Sequence, residues 1–128
     1  MDPSDRKYSK EHEWAKIEDG TAVVGITDYA QDQLGDVVYV ELPKVGDRVE
    51  QFKTFGVIES VKTASDLFAP VSGEVIEVNQ SVVDDPSRVN DSPYDSGWLI
   101  KVRPDDESAL QRELDALLDA DGYAREIE

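Results

Sequence analysis

The stretch "FGVIESVKTASDLFAPVSGEVIEV", residues 55–78, decides the fold. Two runs rich in branched and aromatic residues, "FGVIESV" and "LFAPVSGEVIEV", flank a short polar segment, and such runs favour pleated strands. The polar segment "ESVKTASD", Glu59 to Asp66, has a single lysine at its middle. The pattern therefore predicts a β-hairpin with Lys62 at its tip.

Further strand-type segments, separated by turn residues, precede this hairpin, run into its first strand, or follow it. Asp19-Gly20 is a turn signal before one of them, and Pro43, which cannot donate to a ladder, ends another. These segments are "TAVVGI" (21–26), "DVVYVEL" (36–42), "RVEQFKTFGVIESV" (48–61) and "GWLIKVRP" (97–104). Many short strands with frequent turns predict a mainly β domain.

Two helices are expected beside the strands. "TDYAQDQLGD" offers Thr27 or Asp28 as an N-cap, Gln31 three residues after Asp28 as in a capping box, and Gly35 as a helix end. A second, amphipathic helix is expected at about residues 106–120, with its leucines packed on the sheet. Its stripe consists of Leu110, Leu114, Leu117 and Leu118.

The sequence also contains a weak internal repeat. "LPKVGDRVEQF" (42–52) and "APVSGEVIEVN" (69–79) share a proline, a glycine and a following alternation of apolar and charged residues. Two similar half-sandwiches related by a pseudo-twofold axis, with the lysine hairpin between them, would generate this spacing.

Length and composition limit the class of protein. The 128 residues fit one domain, 1–128, and the absence of cysteine excludes a disulfide framework and a cysteine nucleophile. The N-terminal stretch has no signal-peptide pattern and no apolar run is long enough for a membrane span, so we expect a cytoplasmic protein. We also expect a monomer. With 29 acidic against 13 basic residues, the formal charge of −16 disfavours binding to nucleic acid or an anionic membrane. The acidic residues are spread along the chain, which predicts a halophilic source.

The chemistry of Lys62 is limited by its acidic neighbourhood. An exposed lysine beside Glu59 and Asp66 is most simply an ordinary surface charge. A Schiff-base lysine needs burial or a cationic neighbour, and the sequence offers neither. A lysine on a rigid turn is also accessible to a ligase and could carry an acyl group as a tether.

Four blocks of the chain resemble, in order and spacing, the H protein family of the glycine cleavage system. They are "EHEW", "DGTAVVGITDYAQDQLGDVVYVELPKVGD", "IESVKTASDLFAPVSGEVIEVN" and "NDSPYDSGWLIKV", within Tyr8 to Val102. The resemblance implies a barrel-sandwich hybrid fold and lipoate in amide linkage on Lys62. It implies a non-catalytic carrier that takes the aminomethyl group of glycine from glycine decarboxylase to a tetrahydrofolate-dependent aminomethyltransferase. Dihydrolipoyl dehydrogenase would then reoxidise the arm, which a lipoate ligase or lipoyl transferase attaches.

The resemblance also implies roles for four other residues. Glu13 matches the family glutamate that faces the amine of the loaded arm, and Asp66 is close enough to the hairpin to contribute. Glu59, three residues before the lysine, and Gly73, eleven after it, match the positions that the ligase reads, and Gly73 is expected to have a backbone geometry that a Cβ would strain.

Two other positions invite an acid–base or metal role. His12 is the only histidine, so a metal site is not expected and a structural role is. Tyr29 stands where some relatives have histidine, and a phenol cannot titrate near neutral pH as imidazole does.

Three alternatives remain open at this stage. The chain could be a lipoyl or biotinyl domain of another multienzyme complex, although Val61 and Thr63 flank the lysine where biotinyl domains typically have methionines. It could be a carrier that relays lipoyl groups to other proteins, or an unmodified interaction protein.

Overall fold

A computed structural model describes residues 2–127 of the chain. In chain order the strands are β1 (Lys7–Tyr8), β2 (Glu13–Glu18), β3 (Thr21–Ile26), β4 (Val37–Glu41), β5 (Arg48–Val49), β6 (Thr54–Ser60), β7 (Ala64–Phe68), β8 (Gly73–Val78) and β9 (Ile100–Arg103). The helices are α1 (Asp28–Leu34), α2 (Gln80–Asp84), α3 (Ser87–Asp91), α4 (Glu107–Asp115) and α5 (Ala120–Glu126). Within residues 2–127, none of the helices has the length and apolar character that crossing a membrane requires.

The strands form two antiparallel sheets, which confirms the mainly β prediction. The larger sheet has the order β1-β2-β3-β9-β8-β5, and the smaller has the order β4-β6-β7. The central strands of the larger sheet are almost completely buried, as β3 residues 22–26 show. In the smaller sheet, Val40 and Ile58 face each other and are buried, whereas their neighbours on the opposite face are more exposed. The inner faces of both sheets therefore meet in one apolar core.

The two repeated segments pair with each other. The amide of Gly46 donates to the carbonyl of Val75 (2.8 Å), and the amide of Val75 donates to the carbonyl of Asp47 (2.8 Å). The short strands β5 and β8 continue this pairing, with Val49 opposite Gly73. Mutual antiparallel pairing of two similar segments is the arrangement that a local pseudo-twofold axis produces, which agrees with the predicted half-sandwiches.

The C-terminal region differs from the single predicted helix at about 106–120. Helix α4 ends at Asp115, and Leu118 then pairs with Tyr8 through two main-chain hydrogen bonds of 2.8 and 2.7 Å. Asp119 caps α5 by accepting from the amide of Gly122 (2.8 Å). Pairing with a residue 110 positions earlier removes Leu118 from the helix, and a local apolar period cannot reveal such a contact. Of the leucine stripe, Leu110 and Leu117 are buried in the main core.

Helix α1 begins and ends where the sequence predicts, but its capping box does not form. Thr27 is the N-cap, since its hydroxyl accepts from the amide of Ala30 (3.1 Å), and Gly35 ends the helix at φ 80°. The Gln31 side chain donates to the Asp28 carboxylate (2.8 Å) instead of reaching a main-chain amide. The sequence reading also missed four elements, β1, β2, α2 and α3.

Candidate functional site

Lys62 lies in the turn between β6 and β7. Ser60 closes this turn, because its amide donates to the carbonyl of Thr63 (2.8 Å) and its hydroxyl accepts from the amides of Lys62 (3.3 Å) and Thr63 (3.2 Å). The amide of Val61 donates to the carbonyl of Asp36 (3.0 Å), which attaches the turn to the segment between α1 and β4. The turn is therefore held at several points, while the Lys62 side chain is exposed.

The Lys62 side chain extends toward α1. Its Cε lies 3.8 Å from the point where a Cβ on Gly35 would be, so the lysine passes over the C-terminal end of that helix. Helix α1 and strand β7 enclose a cavity of about 400 Å³, which we call the α1–β7 cavity. Its lining consists of Glu11, His12, Glu13, Ile26, Tyr29, Ala30, Gln33, Leu34, Ile58, Thr63, Ala64, Ser65, Asp66 and Leu67. The lysine therefore stands at one end of a cavity that runs along β7.

Glu13 is the buried acidic residue of this cavity, with only 2% of its surface exposed. Its Oε1 accepts from the Ser9 hydroxyl (2.7 Å), and its Oε2 accepts from the amide of Phe68 (3.2 Å). Burial raises the pKa of Glu13 to about 8, and the hydrogen bonds from Ser9 and Phe68 oppose this rise only in part. At neutral pH the empty site therefore favours the protonated carboxyl, and a cation placed beside it would lower the pKa and favour the carboxylate, which both donors stabilise.

A tight turn before β2 positions Glu13. His12 has φ 75°, and the amide of His12 donates to the carbonyl of Ser9 (3.1 Å). The Ser9 hydroxyl also accepts a hydrogen bond from the amide of Glu13 (3.1 Å). One serine therefore orients both the main chain and the carboxyl of the glutamate. The sequence reading found Glu13 but missed Ser9 and the Phe68 amide, which is 55 residues away along the chain.

Asp66 and Glu13 line the same cavity in different environments. Asp66 is exposed and lies directly opposite Val57 on the outer face of the small sheet. Glu13 and Asp66 are thus brought to one cavity, with Glu13 at a closed end and Asp66 at the open rim.

His12 and Tyr29 belong to an aromatic cluster at the edge of the cavity. The Tyr123 hydroxyl from α5 is 2.8 Å from His12 Nδ1 and 2.7 Å from the Thr27 hydroxyl. The Tyr29 and His12 rings are 4.9 Å apart. Burial lowers the pKa of His12, which favours neutral imidazole. Tyr123, which the sequence analysis missed, therefore connects α5 to the N-cap of α1. Within residues 2–127, no cluster of metal-binding side chains occurs.

The two positions assigned to ligase recognition lie in different sheets. Glu59 is half-buried on β6, opposite Tyr39 on one side and Ala64 on the other. Gly73 is buried at φ 153°, and a Cβ there would lie 2.2 Å from the carbonyl oxygen of Arg103. The backbone geometry expected for Gly73 is therefore present, but its immediate physical cause is close packing between β8 and β9.

A second cavity, of about 460 Å³, lies between the start of the chain and the α4–α5 connection. Apolar side chains such as Phe52, Phe68 and Leu117 form much of its lining. It is larger than the α1–β7 cavity, but its lining includes neither Glu13 nor Thr63 of the hairpin turn, and both of these line the α1–β7 cavity. Proximity to the exposed lysine and to the buried carboxyl favours the α1–β7 cavity as the functional site.

Comparison with known proteins shows the family to which the chain is similar. The family model described as "Glycine cleavage H-protein" matches residues 6–128. Glycine cleavage system H proteins of Staphylococcus haemolyticus and Staphylococcus carnosus are 54% and 53% identical over 125 residues, which cover 98% of this chain and 96% of each relative. The crystal structure of a glycine cleavage system H protein from Mycobacterium marinum superposes with a TM-score of 0.87 at 42% identity and covers 98% of both chains.

Proposed function

Because the chain belongs to the glycine cleavage H protein family, we propose that Lys62 is the residue that bears its lipoyl group. Proteins of this family are the lipoyl-carrier subunit of the glycine cleavage system, with lipoate attached covalently to a lysine, and they are carriers rather than enzymes. The observation that carries the assignment to Lys62 is its position: it is exposed on a turn held by hydrogen bonds, at one end of the α1–β7 cavity.

A lipoyl arm on Lys62 would extend along about half of β7. Amide formation would remove the Lys62 charge and produce an arm of roughly 14 Å from Cα to dithiolane, when extended bond lengths are added. Phe68, the last residue of β7, is six residues beyond Lys62, which corresponds to about 20 Å along an extended chain, so the arm itself would reach to about Asp66. The Phe68 amide donates to Glu13, so the aminomethyl group carried at the end of an arm lying along β7 would extend toward the buried carboxyl.

Glu13 would protect the cargo when the arm is loaded. The lipoyl dithiol supplies the sulfur to which the aminomethyl group of glycine is attached. That group can decompose in water, where addition of one water molecule gives the free thiol, formaldehyde and ammonium. Glu13 would accept a hydrogen bond from the ammonium end, with Asp66 adding negative charge at the rim, and the apolar residues Ile26, Leu34 and Ile58 would exclude water.

The carrier interacts with the other components of the glycine cleavage system. We infer that these partners are glycine decarboxylase, the aminomethyltransferase and dihydrolipoyl dehydrogenase, which act in that order in the cytoplasm, and that a lipoate ligase or lipoyl transferase attaches the arm. An exposed tip accounts for access by several enzymes to one arm. The carrier would contribute delivery and protection, while each partner would supply the catalysis.

Intact-mass measurement tests the attachment site. Protein from the native host should carry the mass of one lipoyl group, and Lys62→Arg should lose it completely while its melting temperature stays unchanged, because the side chain is exposed. Lys53 is another exposed lysine, directly before β6 at the end of the hairpin opposite the turn, so Lys53→Arg is the matched control and should keep the added mass. A lipoyl mass that persists in Lys62→Arg would show that another residue is modified.

A further inference from the structure

Strand β7 has a free edge that faces the α1–β7 cavity. It is the last strand in the order β4-β6-β7, and β6 is its partner within that sheet. Residues 63–67 all contribute to the cavity lining. An edge strand offers main-chain N–H and C=O groups to whatever lies beside it, and peptide ligands commonly bind in this way.

The register shows which groups of β7 point outward. Ser60 and Thr63 form a hydrogen-bonded pair at the turn, and Glu59 lies opposite Ala64 in the next pair. Since hydrogen-bonded and non-hydrogen-bonded pairs alternate in an antiparallel ladder, the N–H and C=O of Ala64 point away from β6. Phe68 is four residues further on, an even number, so its main-chain groups should point the same way as those of Ala64. Its amide does point outward, to the Glu13 carboxylate.

The contacts of the carbonyl oxygens also indicate that the main-chain groups of Ala64 and Asp66 point away from β6. The Ala64 carbonyl has a long contact, 3.4 Å, with the Thr63 hydroxyl, and the Asp66 carbonyl has one of 3.5 Å with the Ser65 hydroxyl. Contacts of this length are weak, so they leave the outward groups of both residues available to a better partner. Ala64 and Asp66 are also exposed.

The reach of the lysine side chain selects Ala64. An extended lysine spans about 6 Å from Cα to Nζ, by standard bond lengths. Ala64 is two residues beyond Lys62, about 7 Å along an extended chain. The Lys62 side chain already lies on the α1 side of the hairpin, over Gly35. If the acylated side chain lay along the cavity, the amide on its Nζ would therefore be beside Ala64.

We propose that the outward N–H of Ala64 donates a hydrogen bond to the amide carbonyl oxygen of acylated Lys62 when the arm lies in the α1–β7 cavity. This inference rests on the proposed function. A trans amide directs its N–H and C=O to opposite sides, so the arm can direct only one of them to β7, and its N–H then faces the open mouth. The free edge of β7 thus binds the secondary amide of the arm. It holds the arm near Lys62, while Glu13 holds the loaded end.

Amide hydrogen exchange measured by NMR tests this bond directly. The unmodified protein is compared with the fully lipoylated protein in its loaded form, prepared from the reduced carrier with formaldehyde and ammonium. Exchange at Ala64 should slow at least tenfold in the loaded form, whereas exchange at Ser65, whose amide belongs to the ladder with β6, should be the same in both. Equal exchange at Ala64 in the two forms would overturn the proposal.

A pair of variants separates a hydrogen bond from simple shielding. Ala64→Pro removes the outward N–H, which an edge strand tolerates, and Ala64→Val keeps the N–H while adding bulk. Formaldehyde release from the loaded carrier should be about two- to tenfold faster in Ala64→Pro, the range for loss of one neutral hydrogen bond, and unchanged in Ala64→Val. Equal release from Ala64→Pro and wild type would overturn the proposal. If Ala64→Pro does not fold, the exchange measurement on the wild type decides.

The result can be separated from the proposed function. The mass of the lipoyl group on Lys62 is confirmed before exchange is measured. Failure to find that mass would overturn the attachment site and this inference together. A lipoyl mass on Lys62 with unchanged exchange at Ala64 would overturn only the hydrogen bond to β7.

Discussion

The two ends of β7 differ in what controls their side chains. At the turn, Lys62 is exposed, and its position depends on main-chain hydrogen bonds made by neighbours such as Ser60. At the other end, the Phe68 amide and the Ser9 hydroxyl hold the Glu13 carboxyl in a buried site. Desolvation dominates at this closed end, whereas solvent and long-range charge dominate at the open end. A carrier needs both, because one end must reach other enzymes and the other must exclude water.

Glu13→Gln should produce the largest effect at the closed end. Glutamine keeps the size of the side chain but removes the charge that would pair with the ammonium of the cargo. The pair is buried, so its loss should cost about 1 to 3 kcal/mol, the range for hydrogen bonds to charged groups, and this corresponds to roughly five- to 150-fold more exposed arm. The rate of formaldehyde release from the loaded carrier measures this.

Glu11→Gln is the matched control for that experiment. Glu11 lines the same cavity and belongs to the same turn, but it is exposed. Its release rate should be close to that of the wild type, because solvent screens an exposed charge. Lipoylation and reoxidation should be unaffected in both variants, because the oxidised arm has no ammonium. Equal release from Glu13→Gln and Glu11→Gln would show that Glu13 does not guard the cargo.

The raised pKa of Glu13 predicts a pH-dependent contribution to stability. The pKa is about 8 in the folded protein and near 4.5 in the unfolded chain, so the folded state binds an extra proton between these values. The stability gained from this proton is complete below pH 4.5 and is lost as the pH rises to about 8. Relative to Glu13→Gln, the wild type should lose on the order of 4 kcal/mol of unfolding free energy from pH 4.5 to 8. Urea unfolding of both proteins at these pH values measures the difference, and a difference independent of pH would contradict the raised pKa.

Gly73→Val and Glu59→Ala should affect lipoylation for different reasons. At Gly73 a Cβ would meet the Arg103 carbonyl at 2.2 Å, so valine should lower the unfolding free energy by about 2 kcal/mol or more and slow modification by displacing the backbone of β8 at this position. Glu59 is beside the turn on the small sheet, so alanine should slow modification with little loss of stability. Initial lipoylation rates and urea unfolding curves, measured together, separate the two cases.

A normal lipoylation rate in Glu59→Ala would remove that residue from ligase recognition.

Gly46→Ala provides a comparison for Gly73. Gly46 also has a positive φ, 96°, but nothing lies within 4 Å of an added Cβ. It should therefore be less destabilised than a variant at Gly73, where strain and a clash act together.

The sequence predicts the local parts of this molecule better than the parts made by distant contacts. The hairpin, the end of α1 at Gly35 and the strand at residues 21–26 follow from apolar patterns and turn residues that lie within a few positions of one another. The break between α4 and α5 depends on pairing of Leu118 with Tyr8, and no local pattern encodes that pairing.

The candidate site shows the same division. Family resemblance was sufficient to select Glu13, but its environment comes from a serine on the preceding turn and from a main-chain amide on β7. A main-chain donor has no residue type by which a sequence could reveal it. The identity of the acidic group was therefore predictable, while its burial and its raised pKa were not.

Salt should produce the smallest effects, and it should act on the open surface alone. If the charge of −16 reflects a saline cytoplasm, then screening should raise the melting temperature, because the Debye length falls from about 30 Å at 0.01 M to about 10 Å at 0.1 M and 3 Å at 1 M. Most of the rise should occur below 0.1 M potassium chloride, which distinguishes screening from a general salting effect at higher concentration. Glu11→Gln removes one exposed negative charge and should stabilise the protein by a few tenths of a kcal/mol at 0.01 M and by nothing measurable at 1 M.

The stability difference between Glu13→Gln and the wild type should hardly change over the same range of salt, because mobile ions do not enter the buried site and its pKa is set by desolvation. Thermal unfolding of the three proteins at the two salt concentrations and one pH makes the comparison. If salt shifted both variants equally, Glu13 would have to be as exposed as Glu11, and the contrast between the two ends of β7 would fail. If salt left the wild-type melting temperature unchanged, the acidic surface would instead be an adaptation for binding cationic partners.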